Sequence, residues 1–190
     1  TWSIGAGAFR MGSAFLRRTS VVERARPTMA ALMDSTGETA NLGVERGRKV
    51  LFISQVETHE SIRAFFPPGT QSQMHASGIG KALLSTFDPQ KTARIMRATP
   101  MEAFTDKTIT SLPALEAELE TIRAQGYSFD DEEKTTGMRC VAAPVRDASG
   151  LAVAGLSVSG PTSRMTDAAI PRIATQVVAA ARSLSESLGA

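Results

Sequence analysis

Behind Ser20, apolar residues recur every three or four positions, at Val21, Val22, Ala25, Met29, Leu32 and Met33, and the run stops at Gly37. That spacing predicts an amphipathic helix capped by Ser20, with Pro27 inside it expected to kink it or divide it in two. Ahead of it, Phe9, Met11 and Phe15 among Arg10 and Gly12 predict a short, weakly amphipathic helix. The period then changes. Runs at 39–44 and 49–56, split by Glu45, Arg46, Gly47 and Arg48, predict a β-hairpin. Ser61 to Phe66 reads as a third strand, stopped by Pro67, Pro68 and Gly69, after which His75-Ala76-Ser77-Gly78 leads into an apolar helical run from Ile79 to Phe87.

Asp88 and Pro89 open another helix through about Ala98, and Ser111 with Pro113 opens a longer one through Ala124, ended by Gly126. Strand signals return at 127–129, 138–145 and 152–159, the last two joined by a turn from Arg146 to Gly150 that predicts a second hairpin. Thr166 is expected to cap a final helix carrying Ile170, Ile173, Val177, Val178, Ala181, Leu184 and Leu188 on one face. Two sets of strands around a helical middle predict an α+β fold, an antiparallel sheet with helices packed against it.

With 190 residues, the chain has room for one domain with a sizeable core and a short appendage. Hydrophobic residues make up 42% and charged ones 21%, and no long apolar run lacks charge, which argues against a membrane span and intrinsic disorder. Lysine plus arginine number 21 against 19 acids, too even a balance for a nucleic-acid surface. Arg10, Arg17, Arg18, Arg24 and Arg26 accordingly read as a solvated helix face. A lone cysteine, Cys140, forbids an intramolecular disulfide and, with no signal-peptide pattern, predicts a cytoplasmic location. Thr1 in place of methionine points to a fragment.

Four segments carry candidate chemistry. The turn His75-Ala76-Ser77-Gly78-Ile79-Gly80-Lys81 opens a helix whose first N–H groups can receive an anion; it reads equally as an ordinary capped helix with glycines for close packing. It is not a P-loop, because Ala82 follows Lys81 and the earlier glycine is missing. Asp130-Asp131-Glu132-Glu133 follows a strand, and like charges so close predict that at least one turns inward while others stay solvated. Cys140 alternates with Met138 and Ala142 on one strand face, as a small core residue or, with His75 as base, a nucleophile. On Gly155-Leu156-Ser157-Val158-Ser159-Gly160, strand alternation puts both serines on one face, either toward solvent or lining a cavity.

In order and spacing these segments resemble the effector-binding domain of the IclR family of bacterial transcription regulators. The match runs through Met74 to Ala82, Gly126 to Glu133, Gly137 to Val145 and Ser157 to Arg164, and spans about Ser20 to Leu188. The resemblance implies a GAF-like fold: a curved antiparallel sheet with helices on one face and a small-molecule pocket between sheet and loops. It also implies a linker helix over 1–18, joining an effector-binding domain at 19–190 to a winged helix-turn-helix domain that is missing here. Such regulators bind operator DNA as dimers or tetramers, through that missing domain.

The subgroup resembled most is that of the glyoxylate-bypass repressor. Its effector-binding residues fall on Gly78, Ile79, Asp130, Cys140, Ser157 and Ser159, with Ile79 in place of alanine and therefore expected to narrow the pocket. The implied ligand is a small 2-oxo acid such as glyoxylate or pyruvate. Its carboxylate would accept bonds from the Gly78 and Ile79 N–H groups and the two serine hydroxyls, without any Lys or Arg. Asp130 would meet the aldehyde or its hydrate, or be protonated or bridged by water, and Cys140 would pack against the carbonyl carbon. The resemblance implies no catalytic residue and no cofactor; His75, Asp130 and Cys140 are metal-ligand types, but one histidine near the pocket argues against zinc. Two other readings are a cysteine-dependent enzyme acting on a small aldehyde or amide, and a dimerisation module with an empty pocket.

Overall fold

The computed structural model describes residues 5–8, 11, 20–98 and 100–190. The short helix expected around Phe9 to Phe15 lies outside the described residues except for Met11, and the expected linker is described only at 5–8 and 11, where Ala6, Gly7, Ala8 and Met11 have helical backbone. Helix α1, Ser20–Thr36, runs unbroken through Pro27. Proline forfeits one helical hydrogen bond, but Pro27 faces solvent, and the buried stripe of Val21, Ala25, Met29 and Leu32 continues across it, so packing keeps one helix where two were an option.

Strands β1 (Thr39–Arg46) and β2 (Lys49–Val56) form the expected hairpin. Gly47 and Arg48 at its turn have φ of 56° and 79°, the left-handed pair that matches the twist of two strands joined this tightly. The third strand is not at Ser61 to Phe66. It is β3, Gln71–Gln73, which pairs with β2. The 61–66 segment has no ladder: Ile62 and Phe65 are exposed, and Phe66 turns in to stack on Phe52 with ring centroids 4.9 Å apart. Prolines 67 and 68 bring no N–H to a ladder, and the polar Gln71–Gln73 takes the edge instead.

A 3-10 turn, Met74–Ala76, leads to α2 (Gly78–Leu84), α3 (Pro89–Arg97) and α4 (Leu112–Gln125). Their capping follows the sequence: Ser77, Asp88 and Ser111 each accept a first-turn N–H, and Gly126 closes α4 at φ 83°. Helix α2 ends three residues before Phe87, where Thr86 and Phe87 bond back to the carbonyls of Leu83 and Leu84 in tighter turns. Then come β4 (Ser128–Asp131), β5 (Met138–Arg146), β6 (Ala152–Pro161) and α5 (Ile170–Ser187). Thr166 does not cap α5 with its side chain; its carbonyl accepts from Ala169 and Ile170, and the helix starts at Ile170 with Pro171 in its first turn.

All strand pairs are antiparallel, in the order β3-β2-β1-β6-β5-β4. With β3 at one edge and β4 at the other, the connection over 74–127 must cross a face of the sheet, and it lays α2 there with α4 packed on α2. Helices α1 and α5 cover the opposite face. Helices therefore flank both faces, not one as expected from the resemblance. Leu42, Val141, Leu156 and Val158 meet α1 and α5 in one apolar cluster, while Val50, Phe52 and Ala142 meet α2, α3 and α4 in another.

Candidate functional site

The sheet register sets out the site. Asp130 pairs with Cys140, Cys140 with Ser159, and Ser159 with Thr39, a polar row across four strands. The next row on that face holds Ser128, Ala142, Ser157, Asn41 and Gln55. Because Leu156 and Val158 belong to the α1/α5 core, alternation sends Ser157 and Ser159 beneath α2, both buried. They do not face solvent.

Helix α2 docks on these rows through missing side chains. A Cβ on Gly78 would stand 2.6 Å from the Cys140 sulfur, and one on Gly80 would stand 2.2 Å from the Met74 carbonyl oxygen. Glycine is required at both contacts. Ser128 Oγ donates to the Gly78 carbonyl at 2.6 Å, tying the helix start to β4. Ile79 sits over Gly43 and Gly155; a Cβ on Gly155 would come within 2.7 Å of its Cγ2. Its side chain thus packs into a groove in the sheet, and the residue also borders the cavity described next.

Between α2, the sheet and the 66–72 segment lies a cavity with about 30 Å³ open to the centre of a water-sized sphere. One water needs roughly 10–15 Å³ on that measure, so the space suits a ligand of a few heavy atoms. Gly78, Ile79, Asp130, Cys140, Ser157 and Ser159 all line it. The structure brings together every site residue named from the sequence. His75 is buried but is not among the lining residues; its Nε2 bonds the Glu102 carbonyl oxygen at 3.0 Å, and burial holds its pKa below the ordinary value.

Polar groups around the cavity are unevenly satisfied. Asn41 Nδ2 donates to Ser159 Oγ at 3.4 Å, and Gln55 Nε2 to Asn41 Oδ1 at 3.3 Å. Ser157 Oγ is buried without a hydrogen-bond partner. Ser77 spends its hydroxyl on the Gly80 N–H and its carbonyl on that of Lys81, which leaves the N–H groups of Gly78 and Ile79 without helical acceptors. Burial pushes the Asp130 carboxyl up to about 6, against the backbone N–H of Glu133 that donates to it at 2.8 Å. Burial and the Asp130 charge push the Cys140 thiol up to about 12, while the serine hydroxyls beside it act the other way. A thiol so poorly ionised at neutral pH, with His75 engaged elsewhere, lacks the activation that a nucleophile needs.

The acidic run divides as charge repulsion demands. Asp131 and Glu132 pair with Lys107 at 2.9 and 2.7 Å, and Asp131 also with Arg139 at 2.7 Å. Asp130 and Glu133 turn inward. Lys81, fully buried, donates to Glu133 at 2.6 Å, Glu118 at 2.8 Å and the Phe129 carbonyl at 2.6 Å, which uses all three ammonium hydrogens. Burial opposes its charge, yet the two carboxylates outweigh it and hold its pKa above the ordinary value; burial pushes Glu133 up to about 7. Among the described residues no group of three or more His, Cys, Asp or Glu side chains is placed to hold a metal ion.

Sequence reasoning missed several wall residues. Phe52 and Phe66 stack across one side, and Lys134, Thr135 and Met138 form another. Lys134 thus places a basic residue on a cavity border where the sequence pointed to none. Lys81 did leave a signal, since a lysine inside Ile79-Gly80-Lys81-Ala82-Leu83-Leu84 must find acid partners if that run is buried. Lys134 left none; it reads as the end of a charged turn.

The family described as "Bacterial transcriptional regulator IclR C-terminal" matches residues 13–186. The chain is 58% identical over 184 residues to the HTH-type transcriptional regulator BhcR of Paracoccus denitrificans, covering 97% of this chain and 66% of that protein. It is 39% identical over 188 residues to the HTH-type transcriptional repressor AllR of Klebsiella pneumoniae, covering 99% and 69%. The chain thus spans about two-thirds of the length of these relatives. The crystal structure of the Thermotoga maritima IclR superposes with a TM-score of 0.91 at 30% identity, over 98% of this chain and 75% of that one. These relatives are named as regulators and repressors, which disfavours the cysteine-dependent enzyme.

Proposed function

Since the chain belongs to the IclR family of bacterial transcriptional regulators, as the C-terminal domain, we propose that it is the sensor of a small 2-oxo acid such as glyoxylate or pyruvate. Ligand binding would modulate operator DNA binding by a winged helix-turn-helix domain that precedes this one, joined through a linker helix over 1–18, in a cytoplasmic homodimer or homotetramer. No helix among the described residues is long and apolar enough to cross a membrane.

The observation that carries this reading is the Ser157 hydroxyl, buried and unpartnered on the wall of a cavity. A buried hydroxyl without a partner costs about 1–3 kcal/mol, a cost a ligand atom removes on binding. With the free N–H groups of Gly78 and Ile79, the hydroxyls of Ser157 and Ser159 supply donors for a carboxylate. Asp130, whose carboxyl burial raises to about 6, has a proton to give to the oxo group or its hydrate below that pH and is charged above it, and the Cys140 thiol packs beside it. Effector sensing further requires that the ligand bind two states of the assembly unequally.

Calorimetric titration of this chain with glyoxylate, pyruvate and an aromatic acid tests the reading. Saturable binding of a 2-oxo acid is expected, with no binding of the aromatic acid. Substituting Ser157→Ala together with Ser159→Ala should weaken affinity at least about tenfold, since each charge-assisted bond contributes about 1.5–3 kcal/mol. The melting temperature should move little. Absence of heat with every 2-oxo acid would discard the effector class.

A further inference from the structure

We infer that Lys134 is the residue that selects for the carboxylate of the ligand, an assignment that rests on the small-acid reading of the same cavity. Lys134 closes the turn after Glu133 and lines the cavity together with Asp130, Thr135 and Ser157. Its ammonium makes no hydrogen bond or ion pair with any described side chain. Its partner is a ring: Nζ stands 3.1 Å from the centroid of Phe104. By contrast, the neighbouring lysines of the site are committed, Lys81 to Glu118 and Glu133 and Lys107 to Asp131 and Glu132.

The ring contact is anchored from outside the cavity. Phe104 stacks on the buried His75 at 6.1 Å, and its own N–H donates to Thr108 Oγ1 at 3.0 Å. Thr108 in turn donates to the Glu133 carbonyl at 2.6 Å, and Thr105 to that of Glu132 at 2.8 Å. The backbone of the turn that bears Lys134 is therefore fixed to the loop that bears Phe104. Only the lysine side chain is left to move between the ring and the cavity.

Charge gives the reason for it to do so. The other full charge bordering the cavity is that of Asp130, which repels an anion, and hydroxyl and N–H donors suit a neutral carbonyl as well as a carboxylate. A cation attracted to a ring face is held more weakly than one paired with a carboxylate away from water. Lys134 would exchange Phe104 for the ligand carboxylate and supply the discrimination between an acid and a neutral aldehyde. The unpartnered Ser157 hydroxyl, on the same cavity wall, independently indicates that a ligand is accommodated there.

The experiment is titration of the chain with glyoxylate and pyruvate at about 0.05 and 0.5 M salt, for the unaltered protein, Lys134→Met and Lys134→Arg. Lys134→Met should bind about ten- to a hundredfold more weakly at low salt and lose most of the salt dependence, because the attraction being screened is gone. Lys134→Arg should keep affinity within a few-fold and keep the salt dependence. A purely structural role would give equal losses in both variants with the salt dependence intact, and that result overturns the assignment. So does Lys134→Met binding as tightly as the unaltered protein, which leaves the 2-oxo acid reading standing. If the unaltered chain binds neither acid, both fall together.

Discussion

The two faces of the central sheet are equally buried and chemically opposed, and β6 belongs to both. Leu156 and Val158 point into a filled apolar cluster with α1 and α5; Ser157 and Ser159, the alternate residues, point beneath α2. On the first side, volume is filled by large aliphatic side chains. On the second, Gly78 meets Cys140, Gly43 and Gly155 make room for Ile79, and hydroxyls surround a space that protein atoms leave open. Burial by itself does not separate core from site here. An open space does, and the Ser157 hydroxyl on its wall has no hydrogen-bond partner.

The contrast can be tested from its costliest element downward. Lys81→Met leaves Glu133 buried without its cation and should destabilise the fold by about 3–5 kcal/mol in a denaturant titration. A loss below about 1 kcal/mol would show that the ion cluster does not hold α2 against β4. Next, Leu156→Ala on the apolar face should cost about 2–5 kcal/mol while the folded fraction keeps its ligand affinity. A parallel fall in affinity would mean that the faces are not independent.

The smallest effect is on pH. With Asp130 raised to about 6, an anionic ligand should bind best when that carboxyl is protonated, so affinity should decline as pH rises through 6, by at most about tenfold per pH unit. Between about pH 4 and 6 the folded chain keeps a proton that the unfolded chain releases, so this group's contribution to stability also falls as pH rises. Glu133, pushed up to about 7 beside Lys81, extends that decline. Asp130→Asn should flatten the affinity profile; an unchanged slope would place the responsible proton elsewhere.

Much of this architecture was legible in residue patterns. Caps at Asp88 and Ser111 and the left-handed Gly126 declare themselves through side chains that bond locally, and the long strands alternate because their faces differ. The third strand was misread because both cues pointed the wrong way: Ile62, Ala64 and Phe66 alternate without pairing, while Gln71–Gln73 pairs through its backbone with polar side chains. The six site residues emerged from family resemblance more than from local chemistry, since Asp130 and Cys140, or Ser159 and Thr39, become neighbours only through sheet register. Lys134 and Phe66 stayed hidden for a related reason. Their roles depend on which loop folds over the cavity, and no periodicity encodes that.

The pairing of β1 with β6 also has a consequence in time. Thr39 waits for Ser159, so the central seam of the sheet joins segments that leave the ribosome far apart during synthesis. Contacts this distant along the chain slow folding, because a long loop must close before the strands can pair. Until β6 emerges, β1 lacks the strand that covers its second edge. Since β6 also carries Ser157 and Ser159, the cavity they line is incomplete until that strand emerges, and a ligand held there cannot template the early steps of folding.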